Sequence, residues 1–162
     1  MRLGEGVEWA IHCCTFLAVL PPGSPLPAAR LAEFHGVPPA YLAKHLQALA
    51  RAGIVVAVPG AKGGYALGRP ADDITMLDIV DAIDGAAPAF TCTEIRQRGP
   101  AAVEAAKYRR PCSIARAMWD AEHAWRAELK KRTVGEIARG LAGDVAPEAA
   151  VKTAAWYQEV KR

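Results

Sequence analysis

The chain has 162 residues, 52% of them hydrophobic, enough for a real core in one domain or in a domain carrying an assembly element. Heavy use of Ala with few aromatics favours helices over sheets. A net charge of only +3 excludes a polycation that holds nucleic acid by bulk charge, so the basic residues count by location.

Gly4 to Leu20 reads as a first helix. At 100° per residue Val7, Ala10, Ile11, Cys14, Leu17 and Ala18 form one apolar face, and Trp9, Cys13, Phe16 and Leu20 a second. A helix apolar on two sides is largely buried. Between the faces runs a narrow strip of Glu8, His12 and Thr15, hemmed in by apolar surface, where a carboxylate and an imidazole need a partner. One turn apart, Glu8 and His12 can point at one metal centre; taken alone, a simple Glu–His ion pair is the better reading. Glu5, Glu8 and His12 interrupt any secretory apolar run, and the run is too short and polar to span a membrane. The expectation is a cytoplasmic protein, in which four cysteines point to metal or redox chemistry more than to disulfides.

After a Pro/Gly/Ser linker (21–25) comes the stretch that carries the function. Pro27 opens a helix with Ala28, Leu31 and Ala32 on one face, and Gly36 ends it. Pro38-Pro39 opens the next, in which Tyr41, Leu42, Leu46, Leu49 and Ala50 recur at helical spacing until Gly53. So short a turn between helices matches a helix-turn-helix, whose second helix enters the DNA major groove. A β-branched run, Ile54 to Val58, a Pro-Gly-Ala-Lys-Gly-Gly turn and a Tyr-Ala-Leu return make a hairpin, and the whole unit a winged helix. Between Phe34 and Ala71 there is no Asp or Glu, while Lys44, Arg51, Lys62 and Arg69 lie in that window. A surface that approaches phosphates has this charge pattern, although any solvated basic face would share it. Tyr41, Lys44, His45 and Gln47 in the recognition helix, and Lys62 in the wing, are the candidate DNA contacts.

Thr75 caps a helix over 76–84 that Gly85 closes; its Asp78, Asp81 and Asp84 should face away from DNA. Residues 86–111 are irregular, with one short helix expected over 101–108. A loop this long is usually functional or disordered. Cys92 lies in it and Cys112 follows it, and its many cations would favour thiolate. Two incidental free thiols are the plainer alternative. Cys112 to Lys131 reads as one long helix, and Ile114, Met118, Ala121, Trp125 and Leu129 make a stripe that suits a second subunit. Thr133 caps a shorter helix over 134–141, and a further helix is expected around 149–160.

These elements resemble the Rrf-two family of winged-helix transcription regulators. The matching residues are Met1-Arg2-Leu3, Tyr41-Leu42, Leu46, Leu49, Gly53-Ile54-Val55, the wing Gly60-Ala61-Lys62-Gly63-Gly64-Tyr65-Ala66-Leu67, Ile79-Val80-Asp81-Ala82-Ile83-Asp84 and Thr133-Val134-Gly135-Glu136-Ile137. The resemblance implies a mainly α fold with a small β-hairpin, a winged helix-turn-helix plus a long dimerisation helix. The expected organisation is a DNA-binding domain (1–85), a cluster-binding loop (86–111), the dimerisation helix and a short helix (112–141), and a tail (142–162). It further implies a homodimer on a pseudo-palindromic double-stranded DNA operator, acting as a regulator and not as an enzyme.

Cluster-binding members usually carry three closely spaced loop cysteines, whereas this chain has only Cys92 and Cys112. Family sites can take an acidic residue from the partner's first helix, where Glu8 stands, and His12 then completes the set. Similarity to the family's redox-sensing branch thus implies a 2Fe–2S cluster on Cys92 and Cys112 of one subunit and Glu8 and His12 of the other. One-electron reduction would switch operator affinity, with Trp9, beside Glu8, as the redox-coupling candidate. Imidazole in place of thiolate raises a cluster's potential, as in Rieske centres. The alternatives are a nitric-oxide-sensing 4Fe–4S repressor, a thiol-only regulator and a zinc hydrolase.

Overall fold

The computed structural model describes residues 3–60 and 63–161. Among the described residues are seven α-helices, α1 (Glu5–Val19), α2 (Ala28–His35), α3 (Pro39–Arg51), α4 (Met76–Asp84), α5 (Ser113–Lys131), α6 (Val134–Asp144) and α7 (Pro147–Val160), and a hairpin of β1 (Val55–Val58) and β2 (Gly64–Leu67). α1 is the hub, packing on α2, α3, α4, α6 and β2. Its two apolar faces meet that expectation: Val7, Ala10, Cys14 and Leu17 are buried on one, Cys13 and Phe16 on the other. Thr15 satisfies its hydroxyl on the Ile11 carbonyl at 2.8 Å.

The helix ends are set locally. Gly36 caps α2 in the left-handed region at φ 64°, and Pro39 occupies the first turn of α3. Leu42, Leu46 and Leu49 are completely buried beneath α3, each stabilising the fold by about 1.5–3 kcal/mol. The hairpin pairs Val55 with Leu67 and Val58 with Gly64, antiparallel. It is tied to the chain before α2 by reciprocal Leu26–Tyr65 backbone hydrogen bonds of 2.9 and 2.7 Å. Gly64 (φ 152°) lies so close to the Leu26 backbone that any side chain there would overlap it.

α4 begins with a complete capping box: the Asp78 N–H donates to the Thr75 hydroxyl (3.1 Å) and the Thr75 N–H to the Asp78 carboxylate (2.9 Å). Its acids are committed, Asp78 to Arg69 at 2.9 Å and Asp81 to Arg126 of α5 at 2.7 Å. The α5–α6 corner docks on the start of α4 through Met76 N–H to Arg132 O and Val134 N–H to Ile74 O. The loop departs from expectation: over 101–108 only a single 3₁₀ turn, Ala105–Lys107, forms. α7 begins at Pro147, two residues ahead of the expected start, and buries Tyr157 in the core. No helix among the described residues is long and apolar enough to cross a membrane.

Candidate nucleic-acid interface and sensor residues

With its leucines turned inward, α3 presents Ala40, Tyr41, Lys44, Gln47 and Arg51 outward on one face. Tyr41 is 59% exposed, and the Lys44 ammonium lies 5.4 Å from the centre of its ring. Arg51 shares this face although it was absent from the expected contacts. Its spacing of seven from Lys44 was legible. Lys62, expected in the wing, lies outside the described residues, as do Met1, Arg2 and Ala61. Arg69 is neutralised by Asp78, so the two carboxylate-free cations on the described α3 surface are Lys44 and Arg51.

His45 needs correction. It is half-buried, turned off the outward face and packed on α1, with its ring edge-on to Trp9 (centroids 5.9 Å apart, planes at 80°). The i,i+4 register of Leu42, Leu46 and Leu49 rotates position 45 towards α1, away from the face that Lys44 and Gln47 share.

Glu8 and His12 are both exposed, not buried as the strip between two apolar faces suggested. The strip is covered only at Thr15, which is buried, and is open at Glu8 and His12. The His12 ring lies 5.8 Å from that of His35, which packs on Phe16 and Phe34; the α7 residue Trp156 packs on those same two rings. Burial, with help from the His12 charge, pushes the His35 pKa down to about 4, and its buried Nε2 has no partner among the described residues.

The four cysteines fall into two classes. Cys13 and Cys14 are fully buried in the core. Burial pushes the Cys13 thiol up to about 12 and the Cys14 thiol higher still, with Cys13 adding to the latter, so neither supplies a thiolate. Cys92 and Cys112 are half-buried and free. Cys112 caps α5, its Sγ accepting the Ala115 N–H at 3.3 Å. Arg96 lies close by: its guanidinium donates to Glu94 (2.7 Å) and to the Arg110 carbonyl (3.0 Å). Glu94, and more weakly Cys112, hold that guanidinium in its charged form. Cys92 lines an open groove of about 460 Å³ between the loop and α5, with Phe90, Trp119, Glu122, His123 and Arg126. Nothing in the local sequence of either segment signals this pairing of loop and helix. Among the described residues no three His, Cys, Asp or Glu side chains converge closely enough within one chain to hold a metal ion.

The family model described as an iron-dependent transcriptional regulator, Rrf2, matches residues 3–140. The chain belongs to the Rrf2 family. YwgB of Bacillus subtilis, named as an HTH-type transcriptional regulator, is 34% identical over 85 residues, which span 52% of this chain and 54% of YwgB. YffB of Lactococcus lactis, similarly named, is 28% identical over 138 residues, 85% of this chain and 87% of its own. Among solved structures, T. potens IscR superposes with a TM-score of 0.67 at 20% identity, covering 90% of this chain and 93% of IscR. The oxidised form of Staphylococcus aureus CymR gives 0.63 at 22%, covering 85% and 96%. At these identities the structures establish the winged-helix fold alone. The Rrf2 family and these relatives are transcriptional regulators, not enzymes, which retires the zinc-hydrolase alternative.

Proposed function

We propose that this Rrf2 regulator is a redox sensor, similar to the family member RsrR, acting as a homodimer on a pseudo-palindromic operator. Cys92 and Cys112 of one subunit, with Glu8 and His12 of the other, would hold a 2Fe–2S cluster. The observation that carries the reading is the division of donors within one chain. Glu8 and His12 stand exposed a single turn apart on α1, while two free, half-buried thiols stand apart on the loop and at the start of α5. Each half is incomplete, and the buried pair Cys13 and Cys14 cannot substitute. The donor set fits the group: two accessible cysteine sulfurs, a carboxylate and an imidazole. When bound, such a cluster supplies a one-electron acceptor.

The chain's own residues would do the rest. The Ala115 amide holds the Cys112 sulfur at the start of α5, with the Arg96 guanidinium close by. Ile114 and Met118, exposed at 70% and 44% on the outer side of α5, offer the apolar seam for a second copy. Leu129, at the other end of the expected stripe, packs on the core of its own chain. Tyr41, Lys44, Gln47 and Arg51 would meet DNA, with Lys62 in the wing.

The test is complementation between chains. A Glu8→Ala/His12→Ala chain and a Cys92→Ser/Cys112→Ser chain should each be colourless when purified without air. Verified heterodimers of the two should regain one site, seen as visible absorption and two irons per dimer. No recovery would refute the shared site. Four irons per regained site would make the cluster 4Fe–4S, the nitric-oxide-sensor type.

A further inference from the structure

The strongest feature outside the proposed ligands is the contact between α1 and the recognition helix. The His45 ring of α3 fills the notch left by Gly6 of α1. A Cβ built at Gly6 would overlap the ring, standing 2.6 Å from Nε2 and 2.9 Å from Nδ1, distances that real Cβ atoms essentially never show. Gly6 is itself buried, so an added methyl is relieved only if the half-buried His45 ring swings out of the notch or α3 shifts with it. One turn on, Trp9 closes the other side of the ring edge-on at 5.9 Å. His45 therefore sits as a knob in a hole made by two residues of α1 that flank Glu8 in sequence.

The same helix carries the outward face. Lys44 precedes His45 directly, and Gln47 and Arg51 continue the exposed row. Packed interiors respond to a shift by moving whole elements, because no spare volume absorbs it. A displacement of α1 must either carry α3 with it or expel the ring. We infer that His45 is a positioning residue that couples α1 to the DNA-reading face of α3 through the Gly6 notch and the Trp9 edge, and does not itself read bases. The inference rests on the reading of α3 as the DNA-contacting helix and deepens it by naming the joint through which α1 acts.

The experiment needs no cluster. Duplexes selected by the cluster-free wild-type protein from a random pool serve as the probe. Gly6→Ala should weaken binding about tenfold or more, while circular dichroism reports an intact fold. Adding His45→Ala in the same chain, a small residue for a large one, should bring affinity back to within about threefold of His45→Ala alone. His45→Phe, which keeps a ring but removes both nitrogens, should preserve affinity, the salt slope and the selected sequence. A double variant no better than Gly6→Ala would overturn the notch. A changed base preference in His45→Phe would make His45 a reader and overturn the inference. Should Gly6→Ala fail to fold, His45→Phe alone decides between the two roles. Selection of no duplex by wild type, either cluster-free or reconstituted with iron and sulfide without air, would instead sink the DNA-contacting reading of α3, and this inference with it.

Discussion

The long helix α5 is joined to the DNA-binding body chiefly through α4, and an ion pair spans the joint. Arg126 donates in parallel to both Asp81 oxygens, at 3.0 and 2.7 Å, with each side chain 26% exposed. Breaking a fully buried pair by removing one partner costs about 3–5 kcal/mol. An exposed pair contributes about 0–1 kcal/mol. A bidentate, charge-assisted pair three-quarters removed from water lies between, so Arg126→Ala should destabilise by about 2 kcal/mol. For a chain of this size that lowers Tm by about 4–8 °C. The assay is a double-mutant cycle of Asp81→Ala and Arg126→Ala in urea, at one fixed protomer concentration so that association does not enter. The coupling should be about 1–1.5 kcal/mol, because the double variant leaves no unpaired charge behind. A coupling below about 0.5 kcal/mol would show that Ala115 and Leu129 hold α5 by packing, and that the pair is incidental.

Alkylation of cluster-free folded protein at pH 8 should modify Cys92 and Cys112 and spare Cys13 and Cys14, because burial keeps the last two as thiols; peptide mapping reads the pattern, and early labelling of Cys14 would contradict it. His35 has its pKa lowered to about 4 in the folded state against an unfolded value near 6.5, so the unfolded chain takes up the proton first. Stability in cluster-free protein should be fully present above pH 6.5 and fall as pH drops towards 4, and His35→Gln should flatten that slope in urea midpoints; an unchanged slope would clear His35. Lys44→Ala should weaken binding across sequences and reduce the slope of log affinity against log salt by about one, whereas an unchanged slope would remove Lys44 from the phosphate contacts.

What was legible in the sequence was what is decided locally. Gly36, Pro39, Thr75, Gly85 and Thr133 mark helix ends because the cap chemistry acts within one turn, and each of those ends is where the residue type placed it. The leucine register of α3 gave the outward face, and carried to its end it would have included Arg51. The same register, read one step more carefully, would have turned His45 inward. The loop was harder. An alanine-rich stretch over 101–108 favours helix by propensity, but with little to pack on it forms only a turn, since propensity alone rarely stabilises so short a helix. α7 was poorly bounded because no side chain caps it and it docks through Trp156, whose partners Glu33 and Phe34 lie more than a hundred residues away.

α1 marks the limit of periodicity as a guide to burial. Two apolar faces determine that two sides of a helix are covered, and they are. They say nothing about whether the cover for a third side comes from the same chain. In one chain Glu8 and His12 face solvent, and so do Ile114 and Met118 on α5. An exposed carboxylate and imidazole cost nothing as they stand, so stability gives no reason for the pair. Exposed apolar side chains a turn apart on a long helix do carry a cost, which a second copy would relieve. If that copy brings its Cys92 or Cys112 to Glu8 and His12, assembly and ligand binding become one equilibrium. Dimer dissociation should then weaken sharply when iron and sulfide are supplied, and Cys112→Ser should abolish the effect while leaving the apolar seam intact. Equal dissociation constants with and without the cluster would separate the two, leaving Ile114 and Met118 to hold the dimer and removing the shared site from it.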